Sequence, residues 1–150
     1  MPVSEPSRRS ILTFVVLGAS PARAQSGTWL VTTQEAALPQ SRDSTAGRSV
    51  TRGPAVRQVS PTSAVTPNRP FWLRIEFVGR GGERVNPATA QVVLLRGGNI
   101  DVTTRLRSFI SASGIDIPDA MAPAGTHVLR VDVSDERGRQ TSANIEIDVR

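Results

Sequence analysis

The sequence predicts an all-β sandwich of about seven short strands. Three observations carry that expectation. Between residues 53 and 150 apolar and polar residues alternate in several separate runs, the period of half-buried strands. The runs are bounded by Gly, Pro, Asn and Asp, the residues that turns require. They recur over roughly 100 residues, a length at which two sheets packed face to face enclose one core.

The first 24 residues stand apart from that fold. Arg8 and Arg9 precede the apolar run Ile11 to Gly18, and Ala22-Arg23-Ala24 supplies a small-x-small cleavage site. That order is a secretory signal peptide, removed after Ala24. The run is too short to span a bilayer, so no stable membrane insertion is expected after cleavage. Ser7-Arg8-Arg9-Ser10-Ile11-Leu12 resembles a twin-arginine export signal, with Ile11 where phenylalanine is usual. General secretory export is the alternative. Without a cysteine after the apolar run, a lipid-anchored form is not expected. The expected destination is the periplasm or the outside of a bacterial cell.

Residues 25–52 read as a flexible N-terminal segment. Trp29 to Val31 are apolar enough to dock on a neighbour, whereas the stretch from Gln40 to Gly53 is polar and aperiodic, as linkers are. The domain proper is expected over 53–150. Residues 54–61 make a first strand ended by Pro61, with Pro67 and Pro70 shaping the connection. In 71–77, Phe71, Leu73, Ile75 and Phe77 share one face, and Trp72, Arg74 and Glu76 the other. Gly81 and Gly82 suit the following turn, because glycine takes positive φ without strain. Asn86 to Thr89 reads as one helical turn. Residues 90–98 give a strand that is apolar on both faces from Val92 to Leu95, and then a glycine turn.

Residues 100–112 fit two readings. Ile100, Val102 and Leu106 suit a strand. Alternatively, Asp101 or Thr103 caps a short helix carrying Leu106, Phe109 and Ile110. The chain then ends in a hairpin. Leu129, Val131 and Val133 alternate with polar residues before the polar stretch 134–139, in which Gly138 permits the turn. Ala143, Ile145, Ile147 and Val149 alternate after it. Parity sends Asp132, Glu146 and Asp148 to solvent and leaves Asp135 and Glu136 in the loop.

Several stretches together resemble exported bacterial immunoglobulin-like domains. They are GPAVRQVSP (53–61), PFWLRIEF (70–77), VNPATAQVVL (85–94), PAGTHVLRVDVSDERGR (123–139) and the last alternating strand. That group carries a first strand ending in Ser-Pro, an Asp/Asn-Pro turn before a middle strand, and a Pro-x-Gly-x-His/Tyr element opening the penultimate strand. The resemblance covers residues 53–150 and implies an immunoglobulin-like β-sandwich. It also implies a structural role for His127. These sandwiches place a tyrosine near this point whose hydroxyl bonds back to nearby backbone, and this chain has no tyrosine. Fold likeness of this kind does not carry an activity.

Composition narrows the chemistry. All 18 basic residues are arginine, so the pI of about 11.5 reflects a side chain that does not deprotonate. The charges are interspersed, with no basic run, and aromatics are few. Nucleic acid is therefore not an expected partner. Without cysteine there are no disulfides or thiolate metal sites. Serine hydrolysis needs a base, and His127 is the single histidine, at a strand start and without a Gly-x-Ser-x-Gly partner. Copper sites want clustered His and Met, and beyond the signal peptide the chain offers only His127 and Met121. Gly79 to Arg84 is glycine-rich but lacks the Gly-Lys-Ser/Thr of a phosphate loop. Paired carboxylates, as in glycosidases, are already explained by strand alternation.

The reading is a non-catalytic periplasmic module that binds another protein or envelope component. No catalytic, cofactor-binding or metal-ligating residue is assigned, and no cofactor is expected. Two alternatives stand beside it. One is an enzyme of unrecognised type. The other is a calcium-binding module using the loop 132–136, where Asp132, Asp135 and Glu136 border one turn and calcium takes oxygen ligands.

Overall fold

A computed structural model describes residues 26–41 and 52–150. The predicted signal peptide, residues 1–24, and most of the predicted linker, 42–51, lie outside the described residues. Six long strands carry the fold: β2 (Ala55–Ser60), β3 (Phe71–Val78), β4 (Val85–Leu94), β7 (Gly114–Met121), β8 (Gly125–Asp135) and β9 (Gln140–Val149). Three two-residue strands join them: β1 (Thr28–Trp29), β5 (Ile100–Asp101) and β6 (Ile110–Ser111). Two single-turn helices, α1 (Thr33–Ala36) and α2 (Thr103–Leu106), complete the described elements, with a 3₁₀ turn over Arg107–Phe109.

The strands form two sheets. One has the order β1-β7-β3-β2, with β6 also on β7, and the other β5-β4-β8-β9. Long-strand pairs are antiparallel throughout. If β2, β3, β4, β7, β8 and β9 are lettered A, B, C, E, F and G, then A, B and E share one sheet and C, F and G the other. That partition is the immunoglobulin arrangement. The chain is a two-sheet β-sandwich, as its alternation predicts.

The core lies between the sheets, where the alternation places it. Leu73, Ile75 and Phe77 come from β3, Ile115 and Ile117 from β7, and Val92 and Leu94 from β4. Leu129, Val131 and Val133 of β8 and Ile145, Ile147 and Val149 of β9 line the same inner face of the second sheet, with Leu129 directly opposite Ile145. Burying one such side chain stabilises the fold by about 1.5–3 kcal/mol. The final hairpin pairs in continuous register from Gly125↔Val149 to Ser134↔Gln140.

Four local expectations are corrected or resolved. Asn86 to Thr89 is not a helical turn but part of β4, where the register against β8 slips between Asn86 and Gln91. The cause is local. The Asn86 side chain accepts from the Ala88 amide at 3.1 Å, and the Thr89 hydroxyl donates to the Asn86 carbonyl at 2.7 Å. Such side-chain bonds compete with the ladder and leave a bulge. Residues 100–112 contain both of the alternatives, β5 and then α2. The Asp101 carboxylate accepts from the Thr103 amide at the start of α2, and Leu106 is buried.

The third correction concerns the N-terminal segment. Residues 25–52 read as flexible, yet those from Thr28 to Ser41 are a docked strap. β1 pairs in parallel with the end of β7, Thr28↔Ala120 and Trp29↔Met121. Leu30 and Val31 are 0% and 1% exposed and belong to the core. The Thr32 hydroxyl accepts from the Glu35 amide while the Glu35 carboxylate accepts from the Thr32 amide, a capping box that starts α1. Arg96 then ties the strap down. Its guanidinium donates to the carbonyls of Ala36 (3.0 Å) and Leu38 (2.8 Å), and to Thr126 of β8 at 2.8 Å.

The fourth correction is Asp135. It ends β8 and is buried, not looped into solvent.

Candidate functional site

The opening of β8 holds His127. Odd parity turns its ring inward, and it is 0% exposed. Nε2 lies 2.8 Å from the Pro123 carbonyl, four residues upstream. A carbonyl can only accept, so Nε2 carries the proton and Nδ1 is left buried without a partner. Burial holds the imidazole pKa below its ordinary value. The bond to Pro123 opposes that shift, and the Arg96 charge adds to it. Bonding back to the preceding loop is the geometry that the resemblance implied for this residue.

The far end of the same hairpin holds Asp135, 2% exposed. Its Oδ1 accepts from the amides of Arg137 (3.0 Å) and Arg139 (2.9 Å), and its Oδ2 from Arg139 Nε at 2.6 Å. Desolvation pushes this carboxyl up, but the bonds from Arg139 and Arg137 outweigh it and hold the pKa below the usual carboxylate range. Asp132 is engaged elsewhere. Arg130 Nε lies 3.0 Å from its Oδ2, and the Ser142 hydroxyl donates to its Oδ1. Glu136 is exposed. The three residues of the calcium alternative are therefore not brought together. Among the described residues, no cluster of three or more His, Asp or Glu side chains is placed to hold a metal.

An open groove of about 500 Å³ runs between β2 and β9, lined by Gln58, Pro61, Thr62, Ser63, Glu146 and Asp148. The Gln58 amide donates to Pro61 O at 2.8 Å, and Asp148 pairs with Arg150 at 3.1 Å. Glu146 and Asp148 are neighbours on one face of one strand, which alternation alone produces.

The outer face of the β1-β7-β3-β2 sheet is built differently. Trp72, Arg74, Glu76 and Val78 alternate outward along β3. Trp72 is 46% exposed. Its indole Nε1 donates to Asp116 Oδ1 of β7 at 2.7 Å. Arg74 donates to the other oxygen of Asp116 at 3.2 Å, and its guanidinium lies 5.8 Å from the Trp72 ring centroid. Glu76 closes the row through Arg74 at 3.7 Å and Arg57 of β2 at 2.6 Å. The register explains the assembly, since Asp116↔Arg74 and Glu76↔Arg57 are directly opposed cross-strand pairs. Exposed pairs of this kind contribute about 0–1 kcal/mol each to stability. Their larger effect is to fix the rotamer of an exposed tryptophan. The alternation had placed Trp72, Arg74 and Glu76 outward. It did not reveal that Asp116, 44 residues away, would hold the indole.

No family model and no curated protein matches the chain. Among solved structures it is similar to the crystal structure of CopC from Methylosinus trichosporium OB3b, with 16% sequence identity and a TM-score of 0.40. The match covers 63% of this chain and 93% of that one.

Proposed function

We propose that this protein is a non-catalytic immunoglobulin-like module of the periplasm or the extracellular space. It binds another protein or envelope component through the outer face of the β1-β7-β3-β2 sheet. One observation carries the reading. Trp72 remains half exposed although its indole N–H, its cation neighbour and the next two charges are all locked in a row across three strands. A large aromatic held in one rotamer loses little further freedom when a partner covers it. Tryptophan and arginine are also the residues that most often anchor binding surfaces. By contrast, the buried side chains of His127 and Asp135 bond back to their own loops, His127 through Nε2 and Asp135 through both carboxylate oxygens.

Photocrosslinking in exporting cells tests the face. A benzophenone side chain at Arg57 or Val78 should give discrete adducts, and one at Asn144 on the opposite sheet should not. Adducts at all three positions alike, or at none, would refute the reading. Mass spectrometry of the exported protein should find an N-terminus at or near Gln25, and a retained Met1 in the periplasmic fraction would remove the export half of the proposal.

A further inference from the structure

We infer that the partner at the Trp72 face is a neutral glycan, an inference that rests on the binding face proposed above. The apolar content of this surface is sparse, one ring with Val78 six residues further along the same strand, rather than a broad patch. Among the described residues the exposed large hydrophobics are Leu38, Trp72 and Val78. Around the ring stand two cations and two anions, Arg57, Arg74, Glu76 and Asp116, each paired with another member. The set is neutral as a whole, so it offers no net field to attract a charged ligand.

That combination discriminates between partner chemistries. The centre of a protein interface is enriched in arginine but depleted in carboxylates, and Glu76 and Asp116 stand here. Covering the four charges with an apolar protein surface would strip water from them and return nothing. A sugar answers both parts of the surface. Its C–H face lies against the indole, and its hydroxyls donate to the carboxylates and accept from the guanidinium groups without breaking the row. The row from Trp72 to Glu76 is about 14 Å long at the rise of a strand, so it fits a short oligosaccharide better than a single sugar. β3 is paired on both sides and the ring is already oriented by its bond to Asp116, so binding orders little of the protein.

Titration calorimetry of the mature protein with chitotetraose and with cellotetraose tests this. Saturable binding is expected for at least one of them. Trp72→Ala should weaken it about tenfold or more while leaving the melting temperature within a few degrees, because the ring is an exposed stacking anchor. Asp116→Ala, which releases the indole and Arg74, should weaken it as well. The chain has two tryptophans, so a Trp29→Phe variant makes Trp72 the sole reporter, and its fluorescence should change on adding the same sugars. No saturable binding to either sugar, or binding that Trp72→Ala leaves intact, overturns the inference. Protein adducts at Arg57 and Val78 alongside such a failure would discard the glycan and keep the binding face.

Discussion

Asp135 and Arg139 close the last hairpin on each other. The arginine donates to the carboxylate twice, from its side chain at 2.6 Å and from its own amide at 2.9 Å. The carboxylate is the acceptor around which the turn is folded, and Gly138 completes that turn at φ 76°. Removing it as Asp135→Ala leaves the Arg137 and Arg139 amides without their acceptor and should lower the melting temperature by several degrees. Glu136→Ala, one residue on and exposed, should change stability by no more than about 0.5 kcal/mol. Calcium at millimolar concentration should alter neither melting curve. A calcium-dependent rise in the wild type that Asp135→Ala abolishes would restore the metal reading.

His127 makes stability depend on pH in a defined window. Its pKa is lowered in the folded state by burial and by Arg96, so the unfolded chain binds the proton more readily. Stability from this group is complete above about pH 6.5, the ordinary histidine value. It is lost as pH falls below that value toward the folded pKa. Urea unfolding between pH 8 and pH 5 should show the decline, and His127→Phe should flatten it. An unchanged slope in that variant would show that another group titrates there.

Glu35 acts lower on the scale. The Arg105 guanidinium, 2.6 Å away, and the Thr32 amide hold its carboxyl down at about 2 against 4.5. Its contribution is present above about pH 4.5 and is lost as pH falls from there toward 2. Glu35→Gln should therefore weaken strap docking at neutral pH, with little difference from the wild type near pH 2. Hydrogen exchange of the Leu30 amide, which donates to Met121 O at 2.9 Å, reports that docking directly. Equal protection in both proteins at pH 7 would refute this.

Leu30 itself should matter more than any surface pair. It is fully buried, and truncation to alanine leaves a cavity that typically costs about 2–5 kcal/mol. If Leu30→Ala unfolds in urea with the wild-type midpoint, the strap is not part of the core.

The hairpin supplies the sharpest contrast. Val131 is fully buried and Asp148 sits on the outer face beside Arg150. Val131→Asp would place an unpaired charge in the core and should cost about 4 kcal/mol or more. Asp148→Ala should stay within about 0.5 kcal/mol. Circular dichroism melts of the two variants separate these outcomes.

Strand alternation made most of the sandwich legible, because a half-buried strand writes its two faces into consecutive residues. Leu73, Ile75 and Phe77 were readable on that basis, and so were Val131 and Ile147. The bulge after Asn86 was not, since it depends on a side chain competing with a ladder partner 45 or more residues away. The strap was half legible. Thr32-Thr33-Gln34-Glu35 is a capping-box sequence, which marks a helix start from the residues alone. The apolar run Trp29 to Val31 suggested docking on a neighbour, but not where, because so short a run shows no period and its partners come from β7 and from Arg96. Asp135 looked like a loop residue because parity says nothing about a carboxylate drawn inward by the turn that follows it. Of the candidate site, the outward row on β3 could be read, and the brace from Asp116 could not.

The strap has a further consequence for how the molecule is made. Thr28 and its partner Asp119 are separated by 91 positions. A chain leaving the ribosome presents the strap well before the strand that receives it, which follows only after about three-quarters of its length. Until then Leu30 and Val31 have nowhere to be buried. Loop closure over so long a separation is entropically unfavourable unless the rest of the sheet already holds β7 in place. On that ground the strap, which lies at the N-terminal end of the described residues, should dock late, after the sheet that holds β7 has formed.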